Sequence, residues 1–189
     1  MSHPLLQFFS QVPLFAPLSA DELTELLRAI QPTQIHAGEL LFQEGDAGDA
    51  AYVVQSGELE VFLERRDSHI HLVDLGPNTV LGEIALLDGQ PRTAHVRAKS
   101  EVSLFRIDRT EFDFLRRNLH PAAYKLIRQI ATTVCERVRN SNELIHQVVN
   151  ERDDIIRGKQ PVSAQETTVE VSQVKGKSML RKWAFWRSK

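Results

Sequence analysis

The chain has 189 residues, 42% of them hydrophobic and 25% charged, with 23 basic against 25 acidic side chains. That is a globular composition, which excludes wholesale disorder, collagen and coiled-coil fibres. No run approaches the roughly 18 apolar residues of a spanning helix, the start Met1-Ser2-His3-Pro4 lacks the basic and apolar pattern of a secretory signal, and the lone Cys135 cannot close an internal disulfide, so a reducing cytoplasm is expected.

The mean charge hides an asymmetry. Residues 175–189 carry six basic side chains and no acidic one, so the remaining 174 residues stand at −8 and the tail at +6. An acidic body of this kind is not expected to bind DNA.

In chain order, residues 1–32 read as an N-terminal helical segment. The apolar start Leu5 to Phe9 leads into Val12-Pro13-Leu14-Phe15. Ser19 and Glu22 then form a capping box in front of Leu23, Leu26, Leu27 and Ile30 at helical spacing, with Pro32 as the stop. Residues 33–108 change period. Apolar runs at Leu40–Phe42, Ala51–Val54, Leu59–Leu63, Ile70–Leu75, Ala94–Ala98 and Val102–Ile107 alternate with turn signals such as Glu44-Gly45-Asp46, Ser56-Gly57-Glu58 and Gly76-Pro77-Asn78. Turns every 8–12 residues predict a mainly β domain, a jelly-roll-like β-roll or barrel of about eight strands.

Residues 109–157 return to helix. Asp108 is a plausible cap for Glu111–Arg117, and a long helix follows from near Pro121 to about Arg157. Its Ile127, Ala131, Val134, Val138, Ser141, Ile145, Val148 and Ile155 form a seam suited to a second copy or to the barrel wall, giving an expected homodimer through residues 127–155. Residues 158–178 read as a linker. Residues 179–189 form a basic aromatic tail holding both tryptophans, Trp183 and Trp186, which suits a membrane surface or a partner's groove.

One segment concentrates chemistry: Leu81-Gly82-Glu83-Ile84-Ala85-Leu86-Leu87, then Arg92-Thr93-Ala94 and Val96-Arg97-Ala98. A strand ending at Gly82 lets a ligand approach the backbone. A helical turn from Glu83 to Leu87 offers amides to an anion. Glu83 can accept from a sugar hydroxyl, Arg92 presents a fork to two phosphate oxygens, and Thr93 and Ala94 add a hydroxyl and an amide. Taken singly these are ordinary surface residues; at this spacing inside a β pattern they describe a site for a compact phosphate-sugar.

The stretch closely resembles the phosphate-binding cassette of the cyclic nucleotide-binding domain family, as in catabolite-activator-type regulators and protein kinase regulatory subunits. Leu14-Phe15, Gly38 to Phe42, Glu44-Gly45-Asp46 and Tyr52 to Glu58 resemble the family's first half in order, so the likeness spans about residues 10–150. It implies that Glu83 binds the ribose 2′-hydroxyl and Arg92 the exocyclic phosphate oxygens. Gly82, Ile84 and Ala85 would line the cassette through their backbone, and Thr93 and Ala94 would contact phosphate or base. Leu81 stands where the family often has Phe, a change expected on the packing side.

The resemblance further implies a non-catalytic cytoplasmic receptor, or one peripheral at a membrane, with cAMP favoured over cGMP and a stand-alone form without a DNA-binding domain. Ligand binding would be relayed through the C-terminal helix and tail to a partner. The alternative is a scaffold whose pocket is vestigial and which acts through helix dimerisation and its tail. A metal site at His69 and His71, which share a strand face, lacks a carboxylate at Leu75 or Gly76, so no metal is expected.

Overall fold

The computed structural model describes residues 4–66 and 68–156, the side chains of 144, 147, 148 and 150–156 excepted. Its described part holds eight strands in two four-stranded antiparallel sheets with flanking helices and a long C-terminal helix. The fold class read from the turn spacing is the one observed.

Two short elements open the described chain: α1 (Pro4–Ser10) and a single 3-10 turn at Pro13–Phe15. The apolar start, part of the expected N-terminal helical segment, is helical and packs on the sheet. Phe8 and Phe9 stand 5.5 and 5.1 Å from Phe105, and Phe9 meets Phe15 edge-on at 5.2 Å. The capping box of α2 (Ala20–Leu27) forms as expected, Ser19 N donating to Glu22 Oε2 at 2.7 Å and Glu22 N to Ser19 Oγ at 3.2 Å.

The helix stops at Leu27, however, and Ile30 belongs to β1 (Ile30–Ile35), paired with Ile107. Pro32 does not mark a helix stop but lies inside this strand. That is tolerated because β1 is the edge of its sheet, where a missing amide costs no ladder bond.

The first sheet runs β1, β8 (Val102–Asp108), β3 (Ala50–Ser56), β6 (Val80–Leu81); the second runs β2 (Leu40–Phe42), β7 (His95–Ala98), β4 (Leu59–Arg65), β5 (Ser68–Leu75). Buried Val53, Val54, Leu59, Val96, Leu104 and Ile107 fill the core. Leu81 is buried opposite Tyr52, on the packing side as expected.

After β8 come α4 (Arg109–Arg117) and α5 (Pro121–Ile156). Asp108 takes the N-cap position of α4 without a side-chain cap, because its carboxylate is held by Arg106. The chain divides into two compact units, one up to Ile130 and one from Ala131. Within the first, Ala122, Ala123, Leu126 and Ile130 bury the opening of α5, and Lys125 Nζ reaches Glu22 Oε2 of α2 at 2.7 Å. Within the second, Val138, Ile145 and Val149 are exposed. No helix among the described residues is long and apolar enough to cross a membrane. The linker 158–178, the tail 179–189 and the side chains of seam positions Val148 and Ile155 lie outside the described residues.

Candidate nucleotide site

The cassette is where the chain passes from one sheet to the other. Residues 82–94 connect β6 of the first sheet to β7 of the second. Backbone bonds clamp the segment to the turn before β3: Gly45 N donates to Arg92 O at 2.9 Å and Arg92 N to Asp46 O at 2.8 Å. The fit is close, since a Cβ on Gly48 of that turn would overlap Gln90 O and come within 2.7 Å of the Ala85 Cβ.

The helical turn α3 (Ala85–Asp88) starts two residues later than the spacing suggests, and Gly82 leaves the strand with φ +70°. That left-handed conformation suits glycine. A side chain there would also strike the Arg92 guanidinium. Leu86 N and Leu87 N donate to Glu83 O and Ile84 O, closing the turn with the amides of its first residues at its start.

Arg92 is buried, its side chain only 3% exposed. Burying a cation is costly unless it is paired and hydrogen-bonded, and its partners are specific. Nη2 donates to Ala50 O at 2.7 Å and more distantly to Asp49 Oδ1 at 3.3 Å; Nη1 reaches Gly82 O at 3.4 Å. The guanidinium carbon sits 4.3 Å from the Phe42 ring centroid. Nε is buried with no hydrogen-bond partner. Two backbone carbonyls and one mostly exposed carboxylate therefore hold this cation through three of its five N–H groups, which leaves Nε–H and one Nη1–H for a further acceptor.

Glu83 is likewise buried, at the opposite end of the segment; Ala85 is buried, Ala94 half-buried, and Ile84 and Thr93 exposed. All seven residues singled out from the sequence thus lie on one continuous crossover whose two ends meet through Gly82 and Arg92.

Residues missed at the sequence level frame the cation. Phe42 supplies the stacked ring. Asp49 links Arg92 to Arg106, whose Nη2 donates to Asp49 Oδ2 at 3.0 Å. Burial pushes the Asp49 carboxyl up, but the bond and charge of Arg106, aided by its own backbone and Arg92, outweigh this and hold it below the usual range. The turn signal read from the sequence is Glu44-Gly45-Asp46, and nothing in it announces Asp49 as a shared carboxylate.

His69 and His71 do not converge: His69 Nε2 pairs with Glu60 at 2.9 Å and His71 Nε2 with Asp74 at 3.0 Å. Among the described residues no group of three or more His, Cys, Asp or Glu side chains is placed to hold a metal ion.

The family model of the cyclic nucleotide-binding domain matches residues 32–118, from β1 through the end of α4. The N-terminal domain of a transcriptional regulator from Streptomyces coelicolor A3(2) superposes with a TM-score of 0.59 at 33% identity, covering 70% of this chain and 91% of that one. The chain belongs to the cyclic nucleotide-binding domain family. A cAMP-dependent protein kinase regulatory subunit of Emericella nidulans is 39% identical over 105 residues, 56% of this chain and 25% of the relative. A cyclic nucleotide-gated potassium channel of Rhizobium etli is 35% identical over 109 residues, 58% of this chain and 29% of the relative. The chain thus spans little more than a quarter of the length of these curated relatives.

Proposed function

We propose that this chain is a non-catalytic receptor for a cyclic nucleotide, with cAMP favoured over cGMP. The observation that carries the reading is Arg92: a buried guanidinium, stacked on Phe42 and fixed by backbone carbonyls, with a buried N–H lacking an acceptor. A cyclic phosphate supplies that acceptor and a compensating charge. Glu83 would take the ribose 2′-hydroxyl. Gly82, Ile84 and Ala85 would line the cassette through backbone groups, and Thr93 and Ala94 would meet phosphate or base. The kinase subunit of Emericella nidulans, cAMP-dependent by name and 39% identical, supports the preference for cAMP.

Binding would be relayed through α5 to a partner. The relay is a population shift, whose size cannot exceed the ligand's preference for one state. Exposed Val138, Ile145 and Val149 support a homodimer through residues 127–155, and the basic aromatic residues 179–189 support docking to a protein or a membrane surface.

Calorimetry of the full chain tests this reading. Heat with cAMP, weaker binding of cGMP and loss of both after Arg92→Ala are expected; no heat with either, or equal affinity after Arg92→Ala, overturns it. Pull-down or liposome binding with and without nucleotide, comparing the full chain with one ending at Arg157, tests the relay. Association that ignores nucleotide would favour the scaffold reading.

A further inference from the structure

Two guanidinium groups contend for one carboxylate beside the cassette. Asp49 sits at the entry to β3, its side chain 55% exposed, with one oxygen facing Arg92 and the other Arg106. Arg106 comes from β8, where it pairs in register with Tyr52. It is the better held of the two. Its Nε and Nη2 both donate to Asp108 Oδ1, at 3.0 and 2.6 Å; Nη2 also reaches Asp49 Oδ2 at 3.0 Å, and Nη1 the Tyr52 hydroxyl at 3.2 Å. The Tyr52 ring lies 5.9 Å from the guanidinium carbons of both arginines. The Arg92 share of Asp49 is the long one, at 3.3 Å.

We propose that Arg106 is a positioning residue that tunes the anion affinity of Arg92 by drawing the Asp49 carboxylate away from it. The inference rests on the cyclic nucleotide reading of the cassette and names a residue outside it. An anion approaching Arg92 meets whatever negative charge already lies on that guanidinium, and like charges at this range repel. With Arg106 present, Asp49 gives its shorter bond to Arg106 and its weaker one to Arg92, so less charge opposes the phosphate. Without Arg106, Asp49 has a single guanidinium to turn to. It closes on Arg92 and competes with the ligand. The fork geometry matters, because one planar group spans Asp49, Asp108 and Tyr52 together, which a lysine ammonium cannot match.

Calorimetry with cAMP on the full chain reads the effect. Arg106→Gln is expected to weaken binding about fivefold, the scale of one partly exposed ion pair. The loss should disappear in an Asp49→Asn background, where no carboxylate is left to compete. Arg106→Lys should lose less, in the same direction, and serves if the Gln variant fails to melt cooperatively. Unchanged affinity, or the same loss in the Asp49→Asn background, overturns the proposal. A wild-type chain that binds neither cAMP nor cGMP overturns the functional reading instead. Arg106 is then decided by a ligand-free crystal structure of the Gln variant. Contraction of the Arg92 to Asp49 distance below 3.3 Å supports the role, and an unchanged or longer distance refutes it.

Discussion

Among the described residues two guanidinium groups stack on phenylalanine rings, and they are finished differently. Arg92 lies 4.3 Å from the Phe42 ring and Arg97 lies 4.7 Å from the Phe62 ring. Arg97 is 39% exposed and donates to Glu60 Oε2 at 2.7 Å; Glu60 also takes His69, and His69 and His95 stack on Phe62 at 4.5 and 5.1 Å. Arg97 and Glu60 thus each have a short partner of opposite sign. Arg92 is cut off from water, its one carboxylate stands at 3.3 Å, and its Nε has no acceptor. Stacking on a ring therefore does not mark a binding arginine. What separates the two is whether the cation's demand for hydrogen bonds is met within the protein.

The sharpest way to break this contrast is to remove each arginine. Arg92→Ala should weaken cAMP binding by about 100-fold, since a hydrogen bond to a charged group contributes roughly 1.5–3 kcal/mol and each tenfold is about 1.4 kcal/mol. Arg97→Ala should leave affinity within about twofold, the scale of a distant surface charge. Calorimetry on both variants decides it, and equal losses would erase the distinction.

A smaller effect tests the other end of the cassette. Glu83→Gln should cost about tenfold in cAMP affinity, because a neutral amide accepts more weakly than a carboxylate. Here the ligand supplies the control. If Glu83 takes the 2′-hydroxyl, 2′-deoxy-cAMP should bind the wild-type chain more weakly than cAMP does, and that gap should close in the variant. A gap that persists would move the sugar contact elsewhere.

Gly82→Ala should weaken binding less, by severalfold, with a parallel fall in melting temperature. A left-handed residue with a Cβ costs about 1–2 kcal/mol, and the new methyl would press on the Arg92 guanidinium. A variant that melts lower yet binds as before would show that Gly82 serves the chain's path and not the placement of Arg92.

How far these regions could be read in advance depends on whether the signal is local. The α2 capping box and the onset of α5 at Pro121 follow from neighbouring residues and stand as expected. The cassette was legible because its side chains lie within a dozen residues. Ile30 departs from its helical expectation because its spacing to Leu26 is genuinely helical, and only pairing with Ile107, 77 positions along the chain, makes it a strand. Phe42, Asp49 and Arg106 were invisible for the same reason. Phe42 and Asp49 reach Arg92 from β2 and the turn before β3, Arg106 reaches Asp49 from β8, and no spacing along the chain brings those three together.

Acid provides the gentlest probe of the two clusters, because each contains a carboxylate more acidic than normal. Burial pushes Glu60 up, but hydrogen bonds from His69 and Arg97 and their charge hold it below the usual range; Asp49 is lowered against burial mainly by Arg106. Such groups stay ionised in the folded chain at pH values where the unfolded chain has begun to take up protons. Their contribution is therefore complete above the unfolded values, near pH ~4, and is lost as the pH falls through the folded ones. The share of the melting temperature that these two carboxylates supply should hold steady from neutral pH to about 5 and decline below it. Glu60→Gln and Asp49→Asn should each flatten part of that decline, and only Asp49→Asn should alter cAMP affinity as well. A decline unchanged in both variants would place the acid sensitivity in other pairs. Loss of affinity in Glu60→Gln would mean that the Phe62 cluster is not separate from the ligand site.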